Sequence, residues 1–233
     1  MKSIVWDTSP LISLALNNLL WTIPLLKKRF KGEFYITGVV REESIDKPLD
    51  SKKFKFEALQ LLKLLNEKQF ILVDNEKIPA LTDELLDTAN NIYSAKNHPM
   101  QIVHRGEMEA LAASLILGSD AFVVDERTTR KLLEEPMELK AILEEKLHTK
   151  VDANPVKLNS FKKLTKGIKV LRSFELMIIA YELGILDVYK PDLDQPDRVL
   201  LDAVLWGLKL DGCAVSEVEI EGIIVQETRR KVH

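Results

Sequence analysis

Five short apolar runs, separated by segments with a helical pattern, constrain the fold of this chain more than any other feature. The runs cover residues 4–6, 34–37, 70–73, 121–124 and 168–171. Short apolar strands that alternate with helices are typical of a parallel sheet whose two faces are covered by helices. The clearest helix, which contains Met108, Leu111 and Leu115, is expected to end at Gly118. The pattern therefore predicts an α/β protein with a central parallel sheet.

The length of 233 residues suits one large domain. We expect a single domain over residues 1–233, with 129–167 as an inserted segment that is helical and partly basic. This segment separates two predicted strands that a compact strand–helix–strand unit would join more directly. Residues 75–104, which are helical and rather polar, also look inserted.

Composition excludes several classes of protein. The one cysteine, Cys213, rules out an internal disulfide framework and a multi-cysteine zinc site, and it fits a reducing, cytoplasmic setting. No apolar run approaches the roughly 20 residues of a membrane span, and the acid at position 7 comes too early for a secretory signal. The motifs G-x-x-x-x-G-K-[ST] and G-x-G-x-x-G, which bind nucleotide phosphates, are absent.

Four acidic residues lie where the predicted strands meet helices. Asp7 ends the first strand, Asp125 ends the fourth, Glu43 lies in a helix expected to begin at residue 41, and Glu107 opens the helix before the fourth strand. Ligands of open parallel sheets bind beyond the carboxyl ends of the strands, so the four acids meet if the first and fourth strands are neighbours. Glu109 lies about 200° around the helix from Glu107 and is held as the reserve. Such a cluster needs a cation, and its oxygen atoms suit Mg²⁺ or Mn²⁺.

Each acid taken alone also has a simpler explanation. Asp7 and Asp125 are ordinary capping or turn residues, and Glu43 and Glu107 are typical of the first turn of a helix. For the first helix we expect Ser9 as the N-cap and Pro10 at the first helical position. The hypothesis of a metal site therefore depends on all four acids meeting at one edge.

A basic segment lies near the end of the predicted insertion. Between residues 153 and 174 the chain has no acidic residue before Glu175 and six basic ones: Lys157, Lys162, Lys163, Lys166, Lys169 and Arg172. In a chain with a net charge of −3, this is either a solvated surface or a contact for a polyanion.

The segments that carry the four acids resemble the motifs of the PIN-domain superfamily of metal-dependent nucleases. The opening IVWDTSPLISLA resembles the first motif and VVREES the second. The segment RGEMEALAASLILGSDAFVVDERTTRKLLE resembles the third and fourth motifs in the G-E-x-E-A-L form of archaeal and bacterial members. VLRSFELMIIAYELGIL and LLDAVLWGLKLDGCAVS resemble the closing strand and helix and the C-terminal helix. The matched segments are in the order of the family.

The resemblance implies a three-layer α/β/α sandwich with a parallel sheet in the order 3-2-1-4-5. It also implies Mg²⁺- or Mn²⁺-dependent hydrolysis of RNA, often by homodimers, and the family includes type II toxin nucleases, which have a neutralising protein partner, and RNA-processing enzymes. By position, the metal-binding and catalytic acids are Asp7, Glu43, Glu107 and Asp125. The supporting residues are Ser9, Glu109 and Ser173. Glu175 departs from the family, which frequently has Gly there.

Three functional hypotheses follow. The leading one is a metal-dependent endoribonuclease whose basic segment 153–174 guides the RNA backbone. The second is a non-catalytic RNA-binding or assembly module of the same fold. The third is a phospho-acceptor regulator that uses Asp74 after the third strand, although such a protein would need adjacent acids where Thr8 follows Asp7.

Overall fold

The computed structural model describes residues 2–230, leaving out the side chain of residue 230. Within this range, the strands are β1 (Ser3–Trp6), β2 (Glu33–Ile36), β3 (Ile71–Leu72), β4 (Tyr93–Ala95), β5 (His98–Pro99), β6 (Ala121–Val123), β7 (Val151–Ala153) and β8 (Val170–Leu171). The α-helices are α1 (Thr8–Leu16), α2 (Thr22–Phe30), α3 (Gly38–Arg41), α4 (Lys47–Asp50), α5 (Lys55–Asn66), α6 (Ile78–Asn90), α7 (Arg105–Leu117), α8 (Arg127–Glu134), α9 (Pro136–Leu147), α10 (Pro155–Leu164), α11 (Ser173–Glu182), α12 (Pro196–Leu210) and α13 (Glu217–Arg230). A π-helical turn spans Glu42–Asp46, and a 3₁₀ helix spans Ile185–Tyr189.

The main sheet has five strands in the order β3-β2-β1-β6-β8, and all of its neighbouring strands are parallel. Every predicted apolar run forms one of these strands, although β3 and β8 are reduced to two residues each. The predicted α/β fold, a central parallel sheet flanked by helices, is confirmed. The expectation of one domain over 1–233 stays a prediction.

The centre of the sheet is shielded from solvent because β1 is buried on both faces. Val5 and Trp6 are fully buried, and the Trp6 ring lies 5.4 Å from the ring of Phe34 and 5.5 Å from that of Phe70. A strand buried on both faces reads as a continuous apolar run, which is why β1 could be predicted from the sequence.

A second, antiparallel sheet with the order β5-β4-β7 was not predicted. β4 lies in the segment 75–104 and β7 in the segment 129–167, and the backbone N–H of Asn154 donates to the carbonyl of Ile92 at 2.7 Å. The Lys157 Nζ to Asp87 Oδ2 ion pair of 2.6 Å joins α10 to α6. The two segments expected as separate insertions are therefore joined to each other.

Two helix starts differ from the prediction. Asp7, not Ser9, is the N-cap of α1, because its carboxylate accepts from the backbone N–H of Ser9, and the helix begins at Thr8. The helix after β2 begins at Gly38 instead of residue 41, with Thr37 as its N-cap, because the hydroxyl of Thr37 accepts from the backbone N–H of Val40. No helix within residues 2–230 is long and apolar enough to cross a membrane.

Candidate functional site

Asp7 and Asp125 stand at the carboxyl ends of neighbouring strands, because β1 pairs with β6. The backbone N–H of Asp7 donates to the Val123 carbonyl at 2.9 Å. Ser9 links the two acids: its Oγ donates to Asp7 Oδ2 at 2.7 Å and accepts from the backbone N–H of Asp125 at 3.2 Å. The sequence analysis required the first and fourth predicted strands to be neighbours if the four acids were to meet. These strands are β1 and β6, and they are neighbours.

Glu43 reaches this edge from the π-helical turn that follows β2 and α3. Thr8 Oγ1 donates to Glu43 Oε2 at 2.8 Å, which holds the carboxylate next to α1. A Cβ on Gly106 would lie 3.0 Å from Glu43 Oε2, so the carboxylate also lies against the start of α7. Glu43 is part of the π-helical turn, a form that is common at functional sites.

Glu107 and Asp125 are each fixed by a hydroxyl from another element. Thr129 Oγ1, in the first turn of α8, donates to Glu107 Oε2. Ser173, the first residue of α11, donates to Asp125 twice, from its backbone N–H at 2.7 Å and from its Oγ at 2.6 Å. The predicted supporting residues Ser9 and Ser173 thus contact the predicted acids.

The buried acids have raised pKa values. Burial, the largest cause, raises the pKa of Asp7, and the negative charge of Glu43 adds to it. Burial also raises the pKa of Glu107 to about 7, with contributions from Glu126 and Asp7. The pKa of Asp125 is raised by burial despite the hydrogen bonds from Ser173. In each of these three acids, burial outweighs the hydrogen bonds that lower the pKa.

The structure supplies no cation to neutralise these acids. Among residues 2–230, neither Asp7, Glu43, Glu107 nor Asp125 forms an ion pair with a lysine, arginine or histidine. Buried carboxylates are normally paired or bound to a metal ion. An all-oxygen donor set of this kind fits Mg²⁺ or Mn²⁺. In the described part of the chain, however, no three Asp, Glu, His or Cys side chains form a group that could hold a metal ion as they stand.

Glu109, the reserve acid, lies elsewhere on α7. Its Oε1 accepts from the backbone N–H of Val39 at 3.2 Å, in the first turn of α3. The carboxylate therefore satisfies an otherwise free backbone donor at a helix N-terminus. This contact fits the preference for Glu107 as the acid of the cluster.

The predicted basic segment does not form one surface beside the acids. Arg172 is buried, at 7 % exposure, and is paired with Glu175 and Glu219. Lys157 is paired with Asp87, and Lys169 precedes β8, toward the amino end of the sheet. Lys162, Lys163 and Lys166 are exposed on and after α10, which packs against α6. Glu175, where the family frequently has Gly, is the residue that binds Arg172.

Sequence reasoning missed Thr8, Thr129 and Gly106. Thr8 lies within the first motif, so its position beside Asp7 was a usable signal. Thr129 was assigned to the inserted segment, and only the folded chain brings it within hydrogen-bonding distance of Glu107. Asp74, the acid of the third hypothesis, is exposed after the edge strand β3, with β2 between it and β1.

Comparisons of the chain with protein-family models, with curated proteins and with solved structures find no match. The resemblance to the PIN-domain superfamily therefore stands on the motifs alone.

Proposed function

We propose that this protein is a Mg²⁺- or Mn²⁺-dependent endoribonuclease that hydrolyses RNA phosphodiester bonds at the Asp7, Glu43, Glu107 and Asp125 cluster. The observation that carries the proposal is that four carboxylates lie near one sheet edge and that none of them forms an ion pair with a residue in the described range 2–230. Nearby like charges can coexist in a folded protein when a bound cation compensates them.

The topology supports the same proposal. The parallel sheet has the order β3-β2-β1-β6-β8. When the three strands of the second sheet are left out of the numbering, this order is compatible with the order 3-2-1-4-5 that the PIN resemblance implies. The order alone carries no function, because one fold serves many activities. Combined with acids at the motif positions, it favours a PIN-type nuclease.

In this proposal the four carboxylates hold the divalent ion, which when bound activates water and stabilises negative charge on the phosphate. The contribution of the chain itself is orientation. Thr8 fixes Glu43, Ser9 fixes Asp7, Thr129 fixes Glu107 and Ser173 fixes Asp125. Mutation of residues that orient metal ligands in this way typically lowers metal affinity or activity by 10- to 100-fold.

The test is cleavage of single-stranded RNA with Mn²⁺ by the wild type and by the Asp7→Asn variant. We expect Asp7→Asn to lose at least about 100-fold in rate while it stays folded. The matched control is Asp120→Asn, because Asp120 lies at the opposite end of β6 and accepts from the backbone N–H of Ser3 at 2.8 Å. Unchanged cleavage by Asp7→Asn would remove the site assignment.

A non-catalytic RNA-binding or assembly module is the second candidate. Within residues 2–230, no three Asp, Glu, His or Cys side chains lie close enough together to hold a metal ion, which favours this second candidate. RNA binding that weakens with salt, without any turnover in Mg²⁺ or Mn²⁺, would support this candidate.

A further inference from the structure

A cleft of about 530 Å³ lies beside the acid cluster, between α8 and the segment 213–216. Four basic side chains line it, against the two acids Glu138 and Glu219: they are Arg127, Arg130, Lys131 and Lys209. This cleft was not predicted from the sequence, because its lining residues are distant along the chain.

None of the four acids lines the cleft, but two contacts connect its walls to them. Asp125 comes two residues before Arg127, and its carbonyl accepts from the N–H of Ala214 at 3.4 Å on the other wall. Thr129, on the same helix as Arg127, donates to Glu107. α8 thus carries both Thr129, which contacts an acid of the cluster, and Arg127, which lines the cleft.

The basic side chains differ in how far they are already paired. Lys131 is held by Glu135 and by Glu138, the latter at 2.7 Å. Arg127 is exposed, and its side chain forms no ion pair or hydrogen bond with any described residue. Of the basic residues that line this cleft, Arg127 therefore has the most side-chain hydrogen-bond donors available for a ligand.

Arg130 is incompletely satisfied. Its two hydrogen bonds, to Glu134 Oε2 and to the carbonyl of Ala214, are both long at 3.4 Å. Its Nε is buried and has no partner in the described part of the chain. A buried donor without a partner costs free energy, so Arg130 gains from a side-chain rearrangement that brings this Nε to an acceptor.

We propose that this cleft binds a backbone phosphate of the RNA strand adjacent to the cleaved bond, through Arg127 and Arg130. The inference rests on the proposed function for the identity of the anion. Guanidinium groups bind phosphate oxygens with two parallel hydrogen bonds. A strand whose scissile phosphate lies at the carboxylates brings its neighbouring phosphates within reach of α8.

The test is the affinity of a fluorescein-labelled 12-nucleotide oligouridine, measured by anisotropy in EDTA so that cleavage plays no part. We expect Arg127→Gln to weaken binding by about 10-fold. The slope of log affinity against log salt should fall by about 0.7, the value for one phosphate contact on a single strand. Arg127→Lys should keep the salt slope, because it keeps the charge.

Two matched controls each remove one exposed positive charge elsewhere. The control variants are Lys28→Gln and Lys162→Gln. Lys28 lies on α2, and Lys162 lies in the basic segment predicted from the sequence. Both should bind RNA within twofold of the wild type. Equal losses in all three variants, or a loss confined to Lys162→Gln, would overturn the proposal, as would wild-type affinity in Arg127→Gln.

The two proposals fail separately. If Asp7→Asn cleaved RNA at the wild-type rate, the proposed nuclease site would be wrong, but the RNA affinity measured in EDTA would still test the phosphate cleft. Wild-type affinity in Arg127→Gln removes the phosphate cleft, while loss of cleavage in Asp7→Asn still supports the nuclease.

Discussion

Each acid of the cluster has a hydroxyl partner that donates one hydrogen bond to it. A hydroxyl orients a carboxylate but does not neutralise its charge, whereas a lysine or arginine would do both. Asp7 shows the consequence: it caps α1 and accepts from Ser9, and its pKa is still raised by burial. The capping role and the proposed metal-binding role are therefore compatible in the same residue.

Glu107 gives the clearest prediction at this scale. Its pKa is raised from 4.5 to about 7, so the folded protein holds a proton that the unfolded chain releases above pH 4.5. Without divalent ions, stability should therefore fall as the pH rises from 5 to 8, by roughly 2 kcal/mol from this residue. Glu107→Gln should remove that part of the pH dependence, as measured by urea unfolding in EDTA at the two pH values.

Glu138→Gln is the control for this measurement, because it removes the charge of an exposed carboxylate outside the acid cluster. It should leave the difference in stability between pH 5 and pH 8 as in the wild type. A Glu107→Gln profile parallel to that of the wild type would contradict the account of Glu107.

The residues of the site could be predicted only in part. Asp7, Ser9 and Asp125 come within three residues of the end of β1 or β6, so local patterns indicated where they lie, whereas Glu43 and Glu107 lie in helical segments. Arg172 could not be placed, because its exposure depends on Glu219 of α13, which lies 47 residues away. The sequence alone does not show whether a basic residue forms an ion pair in the folded protein.

At the scale of elements, the contact between the π-helical turn and α7 positions Glu43. Gly106 allows this contact, because any side chain there would press on the Glu43 carboxylate, with Oε1 at 3.1 Å and Oε2 at 3.0 Å from its Cβ. We expect Gly106→Ala to lower RNA cleavage by about 10-fold without removing an acid.

Gly222→Ala is the matched control, since Gly222 is also helical and a Cβ there would meet nothing within 4 Å. It should raise the free energy of unfolding by up to about 1 kcal/mol and leave cleavage unchanged. Wild-type cleavage by Gly106→Ala would show that the position of Glu43 does not depend on this contact.

The elements also show where sequence patterns stop being informative. α7 ends at Gly118 as predicted, because that residue has a φ of 55°, a conformation that favours glycine. β4 and β7 have three residues each, too few to show an alternating pattern, and they pair across more than 50 residues of chain. Their pairing, which joins the two presumed insertions, could not be read from the sequence.

At the scale of the whole molecule, the main sheet has different charges at its two ends. The acid cluster lies beyond the carboxyl ends of β1 and β6. At the opposite end, β6 is preceded by Asp120, but each of the other four strands (β1, β2, β3 and β8) has a lysine within the three residues before it: Lys2, Lys31, Lys68 and Lys169. The net charge of −3 conceals this separation, because it sums both ends.

The central claim is that the four acids form a binding site for a divalent cation. Titration calorimetry with Mn²⁺ tests it most directly, on the wild type, on Asp7→Asn and on the control Asp120→Asn. The account predicts Mn²⁺ binding by the wild type and by Asp120→Asn, and a loss of at least about 10-fold in affinity in Asp7→Asn. Equal Mn²⁺ affinity in all three proteins, or no binding by the wild type, would contradict it.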